Sequence, residues 1–182
     1  MGYEILGSRI LAPYFGSAVF TWGALISVFM LGLSIGYYIG GKFADKRKSF
    51  RDLVYVFFLA CIFIFPVSFI GKNICLHLSR VNIDIRYTAL AASLILFLIP
   101  CILLGIVLPY LVTIFADSKH KIGNAVGSIY STSTLGGILG VIFISFCMIG
   151  LVGTASAIKL VCIPLLLCCL LSLFLLLKNP QA

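Results

Sequence analysis

Five long apolar stretches fill most of this chain, and a water-soluble domain of this size has no interior large enough to bury them. Of the 182 residues, 62% are hydrophobic and 10% are charged, whereas soluble domains average about 45–50% and 25%. A helix that crosses a bilayer needs about 20 predominantly apolar residues. This criterion predicts spanning helices at 18–40, 53–70, 88–115, 125–149 and 156–177. The sequence therefore predicts an all-α, polytopic transmembrane helix bundle.

The stretch before the first span, residues 1–16, is apolar but too short to cross a bilayer alone. It contains Glu4, Arg9 and Pro13. Irregular backbone is not tolerated against lipid, so we expect a partial or re-entrant helix that packs on protein. The prediction is five full spans plus a partial first helix, in a single membrane domain over 1–182. No basic segment precedes a short apolar core, so no cleavable signal peptide is expected.

The net charge of +8 resides mainly in the connections between the apolar stretches. In that position it indicates membrane orientation and contact with anionic headgroups, and no nucleic-acid partner is expected. Residues 41–52, which include Asp45, Lys46 and Arg47, are predicted to form a basic cytoplasmic loop. Placing this loop, 117–124 and the tail residue Lys178 in the cytoplasm gives that side eight basic residues, against five on the other side. This bias predicts a cytoplasmic C-terminus.

Two roles are open for the acidic residues of the basic loop. Asp45 and Asp52 either form a charge relay between helix ends or belong to a solvated loop that only orients the protein. The stretch 71–87 alternates polar and apolar residues. We expect it to lie along the outer membrane interface as a short amphipathic loop.

Glycines and prolines predict where helices approach or bend. Gly32, Gly36 and Gly40 recur every four residues, so they share one face and favour close packing of a neighbouring helix. Pro100 and Pro109, with Gly105 between them, are expected to bend or break the helix at 88–115. Such a break either lines a binding site, as in transporters, or reflects the general frequency of proline in membrane helices.

The helix at 125–149 is rich in small and hydroxylated residues, so it must be wrapped by protein or line a polar cavity. A charge within the apolar layer costs at least about 2.5–3.5 kcal/mol, so Glu4 and Arg9 both need partners. Tyr130, Ser131 and Thr134 are the candidate partners, and these five residues form the predicted ligand-binding site. The alternative is that Glu4 and Arg9 form a structural ion pair, or that Arg9 lies at the interface.

The remaining reactive residues predict no catalytic or metal site. Six of the seven cysteines lie in apolar runs, without a Cys-x-x-Cys or Cys/His spacing. A thiol in such a run behaves as a small hydrophobe. No paired carboxylates or nucleophile–histidine arrangement is evident. We therefore expect neither a metal nor another cofactor, and an intramembrane enzyme is the least favoured function.

Three stretches together resemble one family. They are 4–16, from Glu4 through Ala12 and Pro13 to Gly16; 36–45, from Gly36 to Asp45; and 130–140, from Tyr130 to Gly140. The segment from Pro100 to Pro109 fits the stretch before the third. Together they resemble the membrane domain of bacterial membrane-fused spermidine synthase-like (polyamine aminopropyltransferase) proteins, which are described as major-facilitator-like.

The resemblance covers the membrane part of that family and departs from it in two ways. In the family a cytoplasmic Rossmann-like domain commonly follows and carries the aminopropyl-transfer carboxylates. The sequence to Ala182 contains no glycine-rich strand-to-helix turn and no acidic cluster, so no residue inherits a catalytic role. The family's first helix also normally begins well before the position of Glu4.

The resemblance implies a protein of the bacterial inner membrane. The first expectation is that it binds or transports a small metabolite, a polyamine or a related compound, with a dimer needed for a complete path. The alternative is a non-catalytic anchor or scaffold. In that role, the basic loop and the cytoplasmic tail would dock a separately encoded cytoplasmic synthase or methyltransferase.

Overall fold

The fold is a bundle of helices joined by short connections. The structure, a computed structural model, describes residues 1–46, 49–115 and 122–178. The helices are α1 Gly2–Phe15, α2 Val19–Lys46, α3 Phe50–Ser79, α4 Ile85–Phe115, α5 Ile122–Ile142, a π-helical segment Phe143–Met148, and α6 Ile149–Lys178. No strand occurs in these ranges. The prediction of an all-helical membrane bundle is confirmed.

Four segments are long and apolar enough to cross a membrane. Three of them are α2, α3 and α4. The fourth, Gly123–Phe174, contains 52 residues, so a straight helix of that length would extend about 78 Å. This segment is not straight, because Gly153 has φ 73° and ψ 168° and two helices meet there. Helix α1 has only 14 residues and is not among the four.

The closest helix pair is α2 and α4, and the predicted glycine face of α2 lies between them. All three glycines, Gly32, Gly36 and Gly40, are buried. A methyl group added at Gly36 would lie 2.8 Å from Cα of Gly105, and one at Gly40 would lie 2.7 Å from the carbonyl oxygen of Ile106. Only hydrogen fits at these positions. The prediction that the glycines serve close helix packing is confirmed.

Helix α4 continues through its prolines, so the break expected there is absent, while a bend in this stretch stays a prediction. Pro100 and Pro109 both lie inside one helix, and Gly105 packs against Leu33 and Gly36 of α2. Proline removes one backbone hydrogen bond, and neighbouring helices can stabilise a membrane helix at that point. The close contact with α2 along this stretch provides that support. Gly105 is therefore a packing residue.

The helices also extend further into the predicted loops. Residues 41–46 continue α2, and 50–52 already belong to α3, so most of the basic loop is helical. Similarly, 71–79 continue α3 and only residues 80–84 connect it to α4, although 71–87 were expected to form a loop. The physical reason is burial at helical spacing, because Val67, Gly71 and Cys75 are all buried on one face of α3.

Helix α1 lies in the middle of the bundle and contacts every other helix. Leu6 and Leu11 are completely buried. The ring of Tyr3 packs between Phe29 of α2 and Phe97 of α4, with ring centroids 5.8 and 5.5 Å away. A helix too short to cross the membrane thus packs on protein, as the sequence predicts. Its two ends open onto cavities at opposite ends of the bundle.

Candidate functional site

Two adjoining cavities lie at the N-terminal end of α1. Their volumes are about 590 Å³ and about 440 Å³. Four residues line both cavities: Met1, Tyr37, Leu108 and Ser133. These shared residues make the two cavities one site, which we call the Met1 cavity. Binding sites for small molecules typically have volumes of about 300–1,000 Å³.

The site exists because α1 does not extend between the long helices on this side of the bundle. Helix α1 begins at Gly2, and beyond Met1 the walls are formed mainly by α2, α4 and α5, with Phe57 of α3 and Cys168 of α6. Leu33 and Tyr37 come from α2, and Leu104 and Leu108 from α4. Among its described side chains, α5 has none that is buried. The groove between α4 and α5 therefore stays open.

The walls combine an apolar surface with hydroxyl groups from α5. Ser128, Thr132 and Ser133 line the larger cavity, and Tyr130 and Thr134 line the smaller one. The Thr134 hydroxyl donates a hydrogen bond to the Tyr130 carbonyl at 2.8 Å. This bond lowers the free-energy cost of placing the hydroxyl in a membrane helix. Its oxygen still has a lone pair that can accept a hydrogen bond from a ligand.

The five predicted site residues are not brought together. Tyr130 and Thr134 line the Met1 cavity. Ser131 lies outside its lining, and its hydroxyl donates to the Ser128 carbonyl at 3.0 Å. Arg9 is exposed in the middle of α1, about 7.5 Å along the helix axis from Glu4, and it is not in the lining of the Met1 cavity. Of the five residues, only Tyr130 and Thr134 therefore line the Met1 cavity, and a ligand-binding role for the others stays a prediction.

Glu4 is partly buried and lies one helical turn from the cavity rather than in its wall. The backbone N–H of Glu4 donates to the carbonyl of Met1 at 3.1 Å. Glu4 therefore contributes negative charge near the Met1 cavity without lining it. Its role as a direct ligand-binding residue stays a prediction.

Tyr3 is a buried polar residue that the sequence analysis missed. Its side chain is 5% exposed, and its hydroxyl has no hydrogen-bond partner among the described residues. The sequence feature that could have indicated this buried hydroxyl is a tyrosine within an apolar run, one residue before Glu4.

The turn between α2 and α3 holds a second unpredicted contact. The Tyr110 hydroxyl of α4 donates to the Asp52 carboxylate at 2.7 Å. The backbone N–H of Ser49 donates to the Tyr110 oxygen at 3.4 Å. Tyr110 is 2% exposed. Asp52 thus has a phenol partner that neither proposal for the loop included.

The other residues assigned to the basic loop are at the surface or outside the described ranges. Asp45 and Lys46 are exposed in the last turn of α2. Arg47 lies outside the residues that the structure describes. Within the described ranges, no three His, Cys, Asp or Glu side chains come together as a group that could hold a metal ion.

The Met1 cavity can hold a molecule with apolar and hydrogen-bonding parts, because its walls offer both. Tyr37 and Tyr130 add aromatic surface, which attracts organic cations.

Comparison with models of protein families, with curated proteins and with solved structures finds no match to this chain.

Proposed function

We propose that this protein binds a small metabolite in the Met1 cavity and carries it within or across the membrane. The single observation behind this proposal is the pair of adjoining cavities, about 590 and 440 Å³, which share Met1, Tyr37, Leu108 and Ser133. Their position among membrane helices and their mixed lining suit a ligand with both apolar and polar groups.

The proposed ligand class is a polyamine or a related amine-containing metabolite. Hydroxyl oxygens accept hydrogen bonds from ammonium groups, and the rings of Tyr37 and Tyr130 attract them. The methylene chain of a polyamine matches the leucine surface of α4. Glu4 supplies one negative charge near the cavity, while no acidic residue is among the described residues that line it. The resemblance to spermidine synthase-like membrane domains supports the same class.

The first experiment is a thermal-unfolding screen of the detergent-purified protein with putrescine, spermidine, S-adenosylmethionine and decarboxylated S-adenosylmethionine. A ligand that binds only the folded state raises the unfolding midpoint in a saturable way. We expect such a rise with at least one amine, and a weaker response in Glu4→Gln because that variant lacks the nearby negative charge. Absence of a saturable rise with all four compounds would contradict the proposal.

We propose further that the chain crosses the membrane five times. The 52-residue apolar segment Gly123–Phe174 is broken at Gly153, and a hydrocarbon core of about 30 Å is crossed by about 20 helical residues. Each part of the segment is long enough for one crossing. Five crossings, with α1 as a partial helix, place the α2–α3 turn and the C-terminus on the same side. The proposed side is the cytoplasmic face of the bacterial inner membrane.

A second candidate function is a membrane scaffold for a separate cytoplasmic synthase or methyltransferase. The supporting observation is the α2–α3 turn, where Lys42, Lys46 and Arg51 are exposed beside the Tyr110–Asp52 hydrogen bond. A positively charged surface at the facing ends of α2 and α3 suits an acidic protein partner. The test is co-purification in mild detergent. Capture of a nucleotide-binding enzyme that is lost in Lys42→Glu/Lys46→Glu would favour this function.

A further inference from the structure

Two further cavities lie along the C-terminal half of α1, and Arg9 in the middle of that helix lies between them. One has a volume of about 350 Å³ and the other about 220 Å³. Arg9 lines both, and its side chain is exposed. The cavities adjoin the two places where the backbone turns at a glycine with positive φ, Gly16 and Gly153. Neither cavity contributes to the Met1 cavity described above.

The smaller cavity carries two positive charges. Arg9 of α1 and Lys72 of α3 both line it, together with the hydroxyl residues Tyr14, Ser68 and Thr154. No acidic residue is among the described residues of its lining. Two cations facing one cavity repel each other unless an anion or solvent lies between them. The side chains that form the cavity therefore favour a negatively charged occupant.

A third cation lies next to this cavity. The ammonium group of Lys159 lies 4.3 Å from the centroid of the Phe69 ring. Ser68 and Ile158, the sequence neighbours of these two residues, both line the cavity. The positive charge of Lys159 thus adds to the field of Arg9 and Lys72.

The larger cavity extends the same electropositive region and supplies hydroxyl groups. Ser8, Ser17, Thr21 and Ser145 line it with Arg9, and no acidic residue is among its described lining. Helix α2 begins just after this turn, at Val19, and a helix start carries partial positive charge. Thr154 and Ala155, the first residues after the break at Gly153, line the smaller cavity. The backbone therefore adds to the charge of the side chains.

We propose that the cavity lined by Arg9 and Lys72 binds a phosphate group. A guanidinium presents paired N–H donors that match two phosphate oxygens, and an ammonium adds a compact charge. The Ser68 hydroxyl already donates to the Phe65 carbonyl at 2.8 Å, so the hydroxyl donors proposed for the remaining oxygens are Tyr14 and Thr154. The cavity of about 220 Å³ far exceeds the ~10–15 Å³ that one water needs. The phosphate has two chemical sources, the headgroup of an anionic phospholipid and a soluble phosphate ester. This site is independent of the proposed function, because its lining shares no residue with that of the Met1 cavity.

The test compares two phosphate sources on the intact protein in a neutral detergent. One titration adds phosphatidylglycerol to the micelles. The other adds inorganic phosphate at constant ionic strength, with sodium chloride as the replaced salt. The unfolding midpoint gives an apparent Kd for each. The variants are Arg9→Gln and Lys72→Gln. The matched control is Arg86→Gln, which removes one exposed cation outside both cavities.

We expect saturable binding of at least one phosphate source. Arg9→Gln or Lys72→Gln should raise the apparent Kd about tenfold, since each removes a charge-assisted hydrogen bond. Arg86→Gln should leave it unchanged. Arg9→Lys, which keeps the charge but loses the paired donors, should give an intermediate value. Saturation by phosphatidylglycerol alone assigns the site to a lipid headgroup, and saturation by inorganic phosphate assigns it to a soluble anion.

Three results would overturn the proposal. The first is the absence of saturation with both sources. The second is an apparent Kd that Arg9→Gln and Lys72→Gln leave unchanged. The third is an equal loss in Arg86→Gln, which would mean that the net charge of the protein, and not this cavity, attracts the anion. The side chains of Arg9, Lys72 and Arg86 are all exposed, so folding of the variants is not at risk.

Discussion

Single residues join the helices at the α2–α3 turn. Tyr110 of α4 is buried against Ala44 of α2 and Leu53 of α3. Its hydroxyl donates to Asp52 at 2.7 Å, so one side chain connects three helices through both its ring and its oxygen. A hydrogen bond to a charged group contributes more than one between neutral groups.

Replacement of this tyrosine by phenylalanine tests the contribution of the hydrogen bond. Tyr110→Phe keeps the packing of the ring but removes the donor to Asp52, and we expect a loss of about 1.5–3 kcal/mol in the free energy of unfolding. The measurement is chemical unfolding in detergent micelles. Tyr55→Phe is the control, because Tyr55 is 64% exposed. Equal stability of the two variants would contradict the role assigned to Tyr110.

A second residue-scale prediction concerns Gly36. A methyl group there would overlap the carbonyl oxygen of Ile102 and lie 2.8 Å from Cα of Gly105, so Gly36→Ala must push α2 and α4 apart. We expect a destabilisation of about 1–3 kcal/mol, the usual range for overpacking. Gly41→Ala is the matched control, since nothing lies within 4 Å of its added methyl. It should be neutral or slightly stabilising, and a loss as large as that of Gly36→Ala would refute the packing argument.

At the scale of elements, two turns share one backbone conformation. Gly16 has φ 75° and ψ 170°, and Gly153 has φ 73° and ψ 168°. Only glycine adopts this region without strain. The residues that follow are also similar, Ser17-Ala18 in one turn and Thr154-Ala155 in the other. Each turn reverses or redirects a helix beside a cavity that Arg9 lines.

Alanine at these turns should be strained even though space is available. Nothing lies within 4 Å of a methyl group added at Gly153, so a cost in Gly153→Ala comes from the backbone. We expect about 1–3 kcal/mol, measured as a lower free energy of unfolding. Gly150→Ala is the control, because Gly150 also has free space around it but lies on α6 without a positive φ. A Gly153→Ala protein as stable as Gly150→Ala would show that the break is not fixed by glycine.

The sequence predicted the existence of the helices better than their ends or their contacts. Apolar runs are long enough to identify α2, α3 and α4, since hydropathy alone determines which segments cross a membrane. The end of α3 was missed because 71–79 contains polar residues, while its buried stripe of Val67, Gly71 and Cys75 consists partly of small residues. The glycine face of α2 was predictable because spacing of four is a local signal.

The candidate site was only partly predictable, because contacts between helices depend on the register of one helix against another. Tyr130 and Thr134 were recognised from the unusual polarity of α5, and they do line the Met1 cavity. Ser133 belongs to the same polar run, but nothing local distinguishes it from Ser131, and Tyr37 of α2 has no sequence signal that links it to this cavity. The pairing of Tyr110 with Asp52 joins residues 58 positions apart in the sequence, and no pattern in a single chain indicates such a contact.

At the scale of the whole molecule, the number of crossings determines which side the C-terminus occupies. If α5 and α6 cross separately, with the break at Gly153 between them, the C-terminus lies on the same side as the α2–α3 turn. If the segment Gly123–Phe174 crosses only once, the C-terminus lies on the side opposite the α2–α3 turn. The five-crossing arrangement predicts a cytoplasmic C-terminus.

Reporter fusions after Ala182 test this topology. We expect fluorescence from a C-terminal green fluorescent protein and no activity from a C-terminal alkaline phosphatase, because the first reporter matures in the cytoplasm and the second only outside it. Insertion of the same reporters between Arg80 and Asp84, in the α3–α4 connection, serves as the internal control and should give the opposite pattern. An active phosphatase at the C-terminus would contradict five crossings with this orientation.

The most direct test of the central claim is equilibrium binding of a radiolabelled amine, the strongest ligand from the unfolding screen, to two variants of α5. Ser133 lines both parts of the Met1 cavity, so Ser133→Leu should fill their junction and weaken binding at least about tenfold. Ser131, two positions away, is also exposed but lies outside the lining, so Ser131→Leu should bind with the Kd of the unaltered protein. Equal affinity of Ser133→Leu and Ser131→Leu would show that the ligand does not occupy the Met1 cavity.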